Sequence, residues 1–476
     1  MTELSRMSAR DLVSAYRTGE VSPVEATQAA LDAISAYDAE VNAFVRVDGE
    51  AALESARAAE RRWQSEKPAG PIDGVPTSIK DIFLTRGWPT LRGSNLISES
   101  DDPWDADAPV TARLREAGAV LLGKTTTPEF AWKGVTDSVR QGVTRNPWDT
   151  ALTSGGSSGG SAVAVASGMG TWSVGTDGGG SVRIPASFTA TVALKPTYGL
   201  VPMYPASPFG TLAHAGPMTR TVDDAALMMD YLTGPDPRDW SSMPTPTASF
   251  RDGIEGGVAG LRIAFSATLG FGANHPEVEA AVRTAVGELS EAGAHVEEVD
   301  PGFDDPTGAF ELLWFAGAAK VLEKYGEDAL GRIDPLLAQE VRRAESYTAS
   351  DFLDATQVRM DLGLVMGRFH GTYDLLVTPT VPIPAFPAGQ DAPDGWPSPL
   401  WTSWTPYTYP FNMTQQPALS VPCGFTGDGR PVGLQIVGPR HGDATVLRAG
   451  RAYERRTDWG GRIPALASES TSTKHK

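Results

Sequence analysis

Residues 153–185 read TSGGSSGGSAVAVASGMGTWSVGTDGGGSVRIP, and this stretch decides the fold. Two Gly/Ser clusters flank a run of small apolar residues and a β-like segment, TWSVGTD. SGGSAVAVASGM has the small-residue character of a tightly packed helix, and TWSVGTD that of a buried strand. The glycines that follow permit a sharp turn before a second helix near Ser181. A flexible linker, a phosphate cradle and two halves of a catalytic centre all remain open for it.

The same strand–helix alternation spreads outward from this stretch. PTSIKDIFL is β-like, DAPVTARLREAG is a helix closed by Gly118, and AVLLGKTT is a buried strand. Beyond Asp223, a helix (DDAALMMDYL) and a Pro/Ser-rich loop lead to GLRIAFS, PEVEAAVRTAVGELSEAG and HVEEVD, a further β–α–β passage. Helices are expected around 310–370, then the strand YDLLVTPT. PALSVPCGF and RPVGLQIVG, joined by TGDG, read as a hairpin, and DATVLRAGRAYERR as a closing helix. The expectation is an α/β fold with a large mixed, mostly parallel β-sheet core flanked by helices. Residues 1–66 form a helical region packed on it, opened in part by the capping box Ser22-Pro23-Val24-Glu25. The core spans 67–464, with a more variable, helix-rich substrate-side region at about 235–400. Residues 465–476 are expected to be a disordered tail.

Composition narrows the function. The 476-residue chain is 41% hydrophobic and 21% charged, with a net charge of −18. That balance disfavours nucleic acid and anionic membrane partners, which need a positive face. No run of about eighteen apolar residues suggests a membrane span, and MTELSRMSARDLVSAY lacks the apolar core of a signal peptide. One cysteine, Cys423, excludes an intrachain disulfide and fits a cytoplasmic protein. No Cys/His spacing suggests a metal site, and no cofactor is expected. Asn412-Met413-Thr414 matches a glycosylation sequon but has no secretory context.

Two motifs mislead. Gly118–Thr125 satisfies GxxxxGK[ST], which would make a nucleotide-binding protein, yet its centre is the apolar strand AVLL rather than an open loop. Gly155–Gly159 satisfies GxSxG, but a turn-like segment precedes it and no downstream histidine sits in a triad setting. Of six histidines, His214 (TLAHAGPM) draws notice for its Gly/Pro-containing surroundings, but none sits in a recognisable triad setting.

A serine nucleophile without histidine needs another base. Lys80, inside the apolar run GVPTSIKDIF, is a candidate, because burial favours a neutral amine. A snorkelling edge-strand lysine would look the same. Gly178, Gly179 and Gly180 could aim backbone N–H groups at an oxyanion beside Ser181, or form only a tight turn with Ser181 as a helix cap.

These motifs together resemble the amidase signature family. The resemblance rests on Lys80-Asp81 near GVP, GGSSGGS, GTDGGGSVRIPA, LLGKTTTPEFAW, GVTRNPWD, LKPTYGLVP, GPMTRTVDDAALM, PALSVPCGF and GLQIVGPR. It implies a serine hydrolase with a Ser–Ser–Lys triad: Ser181 the nucleophile, Ser157 the bridging serine after a cis peptide bond, and Lys80 the base. It puts the oxyanion hole at Gly178, Gly179, Gly180 and Ser181, with Asp177 and Arg183 bracing the loop. Substrate-pocket positions fall on Ala131 and on Thr153, Ser154, Gly155 and Gly156. Trp132, Trp396, Trp401, Trp404, Tyr407 and Tyr409 could add an aromatic rim, or could be an ordinary packed loop. Relatives often carry Thr or Ile where Gly178 stands, a departure of this chain. The resemblance implies a small-molecule amide, or else a carbamate or ester; the expectation here is a hydrophobic or aryl amide, taken by a monomer or homodimer.

Overall fold

The computed structural model describes residues 2–469. Its strands, in chain order, are β1 (Phe44–Val47), β2 (Pro76–Lys80), β3 (Val120–Thr125), β4 (Asp137–Ser138), β5 (Gly142–Val143), β6 (Trp172–Asp177) and β7 (Val192–Lys195). There follow β8 (His214–Thr219), β9 (Arg262–Phe265), β10 (His295–Glu298), β11 (Leu375–Pro379), β12 (Ala418–Phe425) and β13 (Pro431–Val437). All but the β4–β5 ribbon join one 11-stranded sheet, ordered β1-β3-β2-β6-β8-β7-β12-β13-β11-β9-β10.

The sheet is mixed, as expected, but its parallel character is the minority. β2 pairs parallel with β3 and β6, and β9 with β10 and β11. The pairs β1–β3, β6–β8, β8–β7, β7–β12, β12–β13 and β13–β11 are antiparallel. The strand–helix–strand passage from β6 through Arg183–Thr189 to β7 is a crossover that leaves β6 and β7 pointing the same way. β8 arrives later in the chain and inserts between them in the opposite sense. The β12–β13 hairpin does the same between β7 and β11. Alternation along the chain records each crossover but not the strand that later separates its ends.

The N-terminal helices Ala9–Thr18, Pro23–Val41 and Gly49–Gln64 form as expected. The Ser22 hydroxyl accepts from Glu25 N at 3.1 Å, and Ser22 N donates to the Glu25 carboxylate at 2.8 Å, closing the capping box. This region also contributes β1 to the sheet edge, so it is more than a helical layer. At the other end, residues 465–469 of the expected tail form a short helix, with Ala467 buried. The remainder of that tail lies outside the described residues. No helix among the described residues is long and apolar enough to cross a membrane.

Strands β2, β3, β6, β7, β8 and β11 are buried along their whole length. A polar side chain that projects from the end of such a strand is therefore withdrawn from water. Lys80, Thr176 and Asp177 are three such residues, at the C-terminal ends of the adjacent strands β2 and β6.

Candidate active site

Lys80 ends β2 and is fully buried. Its Nζ lies 2.7 Å from Ser157 Oγ, 2.9 Å from Ser158 Oγ and 2.8 Å from Thr176 Oγ1. It forms no ion pair with any described carboxylate. Burial drives its pKa well below the ordinary lysine range, and only the more distant Asp177 charge pulls the other way. Lys124, on the neighbouring β3, is an internal contrast. It is equally buried, but it pairs with Asp81 at 2.9 Å and bonds Thr90 and the Pro89 carbonyl. That pairing also disposes of the phosphate-loop motif: Gly123 and Lys124 are inside a strand, with the lysine's donors already used.

Ser157 follows a cis Gly156–Ser157 peptide bond, as the family resemblance implies. A Cβ on Gly156 would lie 2.4 Å from the Val135 backbone, so only glycine fits at that close approach. The helix Gly159–Ala166 then carries the chain back towards β6, which ends at Asp177. Ser158 N donates to Ser181 O at 3.1 Å, joining the two Gly/Ser clusters directly.

Asp177 shapes the glycine loop. Its carboxylate accepts from Gly180 N at 2.8 Å, Val182 N at 3.2 Å and Asn412 Nδ2 at 2.8 Å. Arg183 grips it with a fork, Nε at 3.0 Å and Nη2 at 2.9 Å. Burial alone would raise the Asp177 pKa, but Arg183, then Lys195 and Asn412, hold it far below the usual carboxylate range. Arg183 is itself anchored to Thr408 O, Gln435 Oε1 and Asn412 Oδ1. Thr408 Oγ1 donates to Gly179 O at 2.6 Å. Asn412 is thus buried in this network, which removes its sequon from consideration.

Ser181, Ser157, Thr176, Gly178 and Ala131 line one cavity of about 360 Å³. The Ser181 hydroxyl makes no hydrogen bond with any described residue, and Ser181 does not cap the following helix, which starts at Arg183. His214 lies on β8 with Nδ1 against the carbonyls of Leu212 (2.8 Å) and Asp177 (3.3 Å), and bonds no serine.

Two placements differ from the expectation. The Gly180 N–H is engaged by Asp177, which leaves Gly178, Gly179 and Ser181 as the unengaged amides of the loop. Thr153, Ser154, Gly155 and Gly156 are buried and are not among the residues that line the cavity, with Thr153 N on Phe386 O and Ser154 Oγ on Thr144 O. Of the two readings left open for the aromatic segment, the packed one is seen. Trp132, Trp401, Trp404, Tyr407 and Tyr409 are buried, and Trp396 is only partly exposed while packed against the same core. The aromatic cavity wall comes instead from Phe83, Phe130, Tyr204, Phe209 and Trp314. The sequence does not single out Ser158, Thr176 or Trp314. A serine beside a serine carries no distinguishing signal, and Trp314 comes from the distant helix Thr307–Leu322.

Comparison with known proteins accounts for this arrangement. The amidase family model matches residues 25–447. The chain belongs to the amidase family. An acylamidase of Rhodococcus erythropolis is 38% identical over 480 residues, covering 98% of this chain and 99% of that one. A glutamyl-tRNA(Gln) amidotransferase subunit from Chloroflexus aggregans is 39% identical over 492 residues, covering 98% and 100%. The structure of a bacterial aryl acylamidase of the amidase signature enzymes superposes with a TM-score of 0.90 at 30% identity, covering 97% of this chain and 98% of that one. The chain is accordingly an amide-hydrolysing enzyme of the amidase signature fold.

Proposed function

We propose that this amidase cleaves hydrophobic or aryl amides through an acyl-enzyme on Ser181, with Ser157 relaying protons to and from Lys80. The observation that carries the reading is a fully buried lysine whose polar partners are hydroxyls, two of which, on Ser157 and Thr176, belong to residues that line the same cavity as Ser181. Neutral Lys80 accepts the Ser157 proton as Ser157 takes the Ser181 proton, and Ser181 Oγ bonds to the carbonyl carbon. The carbonyl oxygen gains negative charge, met by the unengaged amides among Gly178, Gly179 and Ser181. The relay reverses to protonate the leaving nitrogen, and the C–N bond breaks. Water attacks the ester by the same path, releasing the acid and restoring Ser181.

The substrate class is supported by the aromatic cavity wall and by the names of two relatives, acylamidase and aryl acylamidase. Carbamates and esters present the same carbonyl, so an aryl carbamate is the second reading to assay. The amidotransferase relative favours a third, glutamine hydrolysis within a complex; the strongly acidic chain argues against a charged RNA partner. The deciding experiment is mass spectrometry after a fluorophosphonate, with wild type beside Ser181→Ala. An adduct on Ser181 that the variant lacks supports the reading, and an adduct on Ser157 overturns it. Acetanilide assayed beside glutamine then separates the substrate classes: a clear preference for glutamine would overturn the hydrophobic-amide reading.

A further inference from the structure

The charge of the cavity wall runs against that of the molecule. The chain has 58 Asp and Glu against 40 Lys and Arg, yet the wall carries Arg92, Lys320 and Lys324 and no carboxylate. Lys320 is already paired, with Glu323. Lys324 lies with Nζ 4.8 Å from the Tyr325 ring centroid and has no acidic partner among the described residues. Arg92 is half-buried, and its guanidinium makes no hydrogen bond or ion pair with any described residue. Asp81, the carboxylate nearest in influence, is held by Lys124 at 2.9 Å.

Arg92 is also preset by its backbone. Its carbonyl accepts from Phe130 N at 2.8 Å, and its φ is +54°. A Cβ on the next residue, Gly93, would meet the Thr127 carbonyl at 2.6 Å, so that turn is closely packed against the Thr127–Pro128 backbone. Phe130 and Ala131, which line the cavity, follow at once. A guanidinium that faces a cavity with no protein partner presents its planar fork to whatever the cavity takes, and a carboxylate matches that fork with paired charge-assisted bonds.

The geometry points to a substrate that carries a carboxylate besides its scissile amide, with Arg92 as the specificity-determining residue and Lys324 as a second, outer cation. This rests on the proposed amide hydrolysis at Ser181. The apolar wall of Phe83, Phe130 and Phe209 takes the body of such a substrate, and the cationic side takes its charge.

The test uses two anilides in paired forms: 4-acetamidobenzoate and succinanilic acid, each beside its methyl ester, with wild type, Arg92→Met and Lys324→Ala. One pair carries the charge on the amine side of the bond and the other on the acyl side. The wild type should prefer at least one acid over its ester in kcat/KM. Arg92→Met should lower that acid-to-ester ratio about ten- to a hundredfold, the scale of one charge-assisted bond. Lys324→Ala should lower it several-fold, and added salt should erase the Lys324 effect first. No preference for either acid in the wild type, or a ratio that Arg92→Met leaves in place, overturns the proposal. Should none of the four compounds be cleaved, the amide-hydrolysis reading on these anilides fails separately. Calorimetric titration of the same compounds into Ser181→Ala then judges the charge proposal alone. Tighter binding of an acid that is lost when Arg92→Met is added supports it, and equal binding of acid and ester overturns it.

Discussion

Gly178→Ala should separate catalysis from folding. A Cβ at Gly178 would lie 2.6 Å from Trp314 Cζ3 and 2.9 Å from Cη2. Carbon atoms rest at about 3.5–4.0 Å, so ring or loop must give way by about 1 Å. The ring is hemmed in. It stacks on Phe209 at 3.9 Å, meets Trp401 edge-on at 5.5 Å, and donates from Nε1 to Trp132 O at 3.0 Å. The loop is the softer side, and it carries the proposed oxyanion donors. Overpacking of this kind costs about 1–3 kcal/mol of stability. Loss of one oxyanion donor costs about 10²–10³ in kcat. The expected outcome is a kcat reduced about a hundredfold, with a modest fall in the urea midpoint. Trp314→Leu in the same chain should return tenfold or more relative to Trp314→Leu alone, read as a double-mutant cycle. A Gly178→Ala enzyme within twofold of wild-type kcat would refute the reasoning. So would a cycle with no coupling, since the loss would then not run through the Trp314 contact.

Lys80→Ala should abolish amide hydrolysis, and full retained activity would remove Lys80 from the reaction. Because the base is the neutral amine, kcat/KM should rise as pH climbs through the folded-state pKa of Lys80. Burial puts that limb well below the ordinary lysine range; a pH–rate profile checks it. Between that value and the unfolded lysine value of about 10.4, the unfolded chain holds a proton that the folded chain lacks, so stability should increase with pH there. Lys80→Met should flatten part of that slope in urea titrations, while the buried Lys195 and Lys124, whose pKa values burial also lowers, keep contributing to it. Arg183→Leu leaves the buried Asp177 without its cation and should cost about 3–5 kcal/mol in urea unfolding. Ser158→Ala should lower kcat about tenfold and displace the acid limb, because it removes one hydroxyl from Lys80; an unmoved limb would assign Ser158 to packing alone.

Much of the site could be read from the chain because each part leaves a local mark. Lys80 stands out as a charge within an apolar strand, and the glycine run before Ser181 marks a turn that few other residues could make. What sequence withholds is juxtaposition. Ser158 and Thr176 matter only because β6 lies beside β2. Trp314 matters only because a helix far along the chain closes over Gly178. The aromatics at 396–409 look the same in sequence whether they face a ligand or, as here, pack behind the glycine loop. Strand direction fails for a related reason: β8 and the β12–β13 hairpin enter the sheet between strands that precede them in the chain.

The three hydroxyls about Lys80 have a consequence for how charge can change there. A primary amine carries two hydrogens and one lone pair; its conjugate acid carries three hydrogens and no lone pair. Three oxygens at 2.7, 2.9 and 2.8 Å serve either form, provided that one hydroxyl can turn about its own C–O bond. Ser158 is not the one to turn, since its hydrogen is committed to Thr176 O at 3.1 Å. The Ser157 hydroxyl has no partner among the described residues other than Lys80. Gain or loss of a proton at the buried nitrogen therefore needs the rotation of a single hydrogen and no displacement of any heavier atom. A cage made of hydroxyls can bond the nitrogen in either protonation state and leaves the choice to burial, whereas a carboxylate such as the Asp81 beside Lys124 adds a pull towards the charged form.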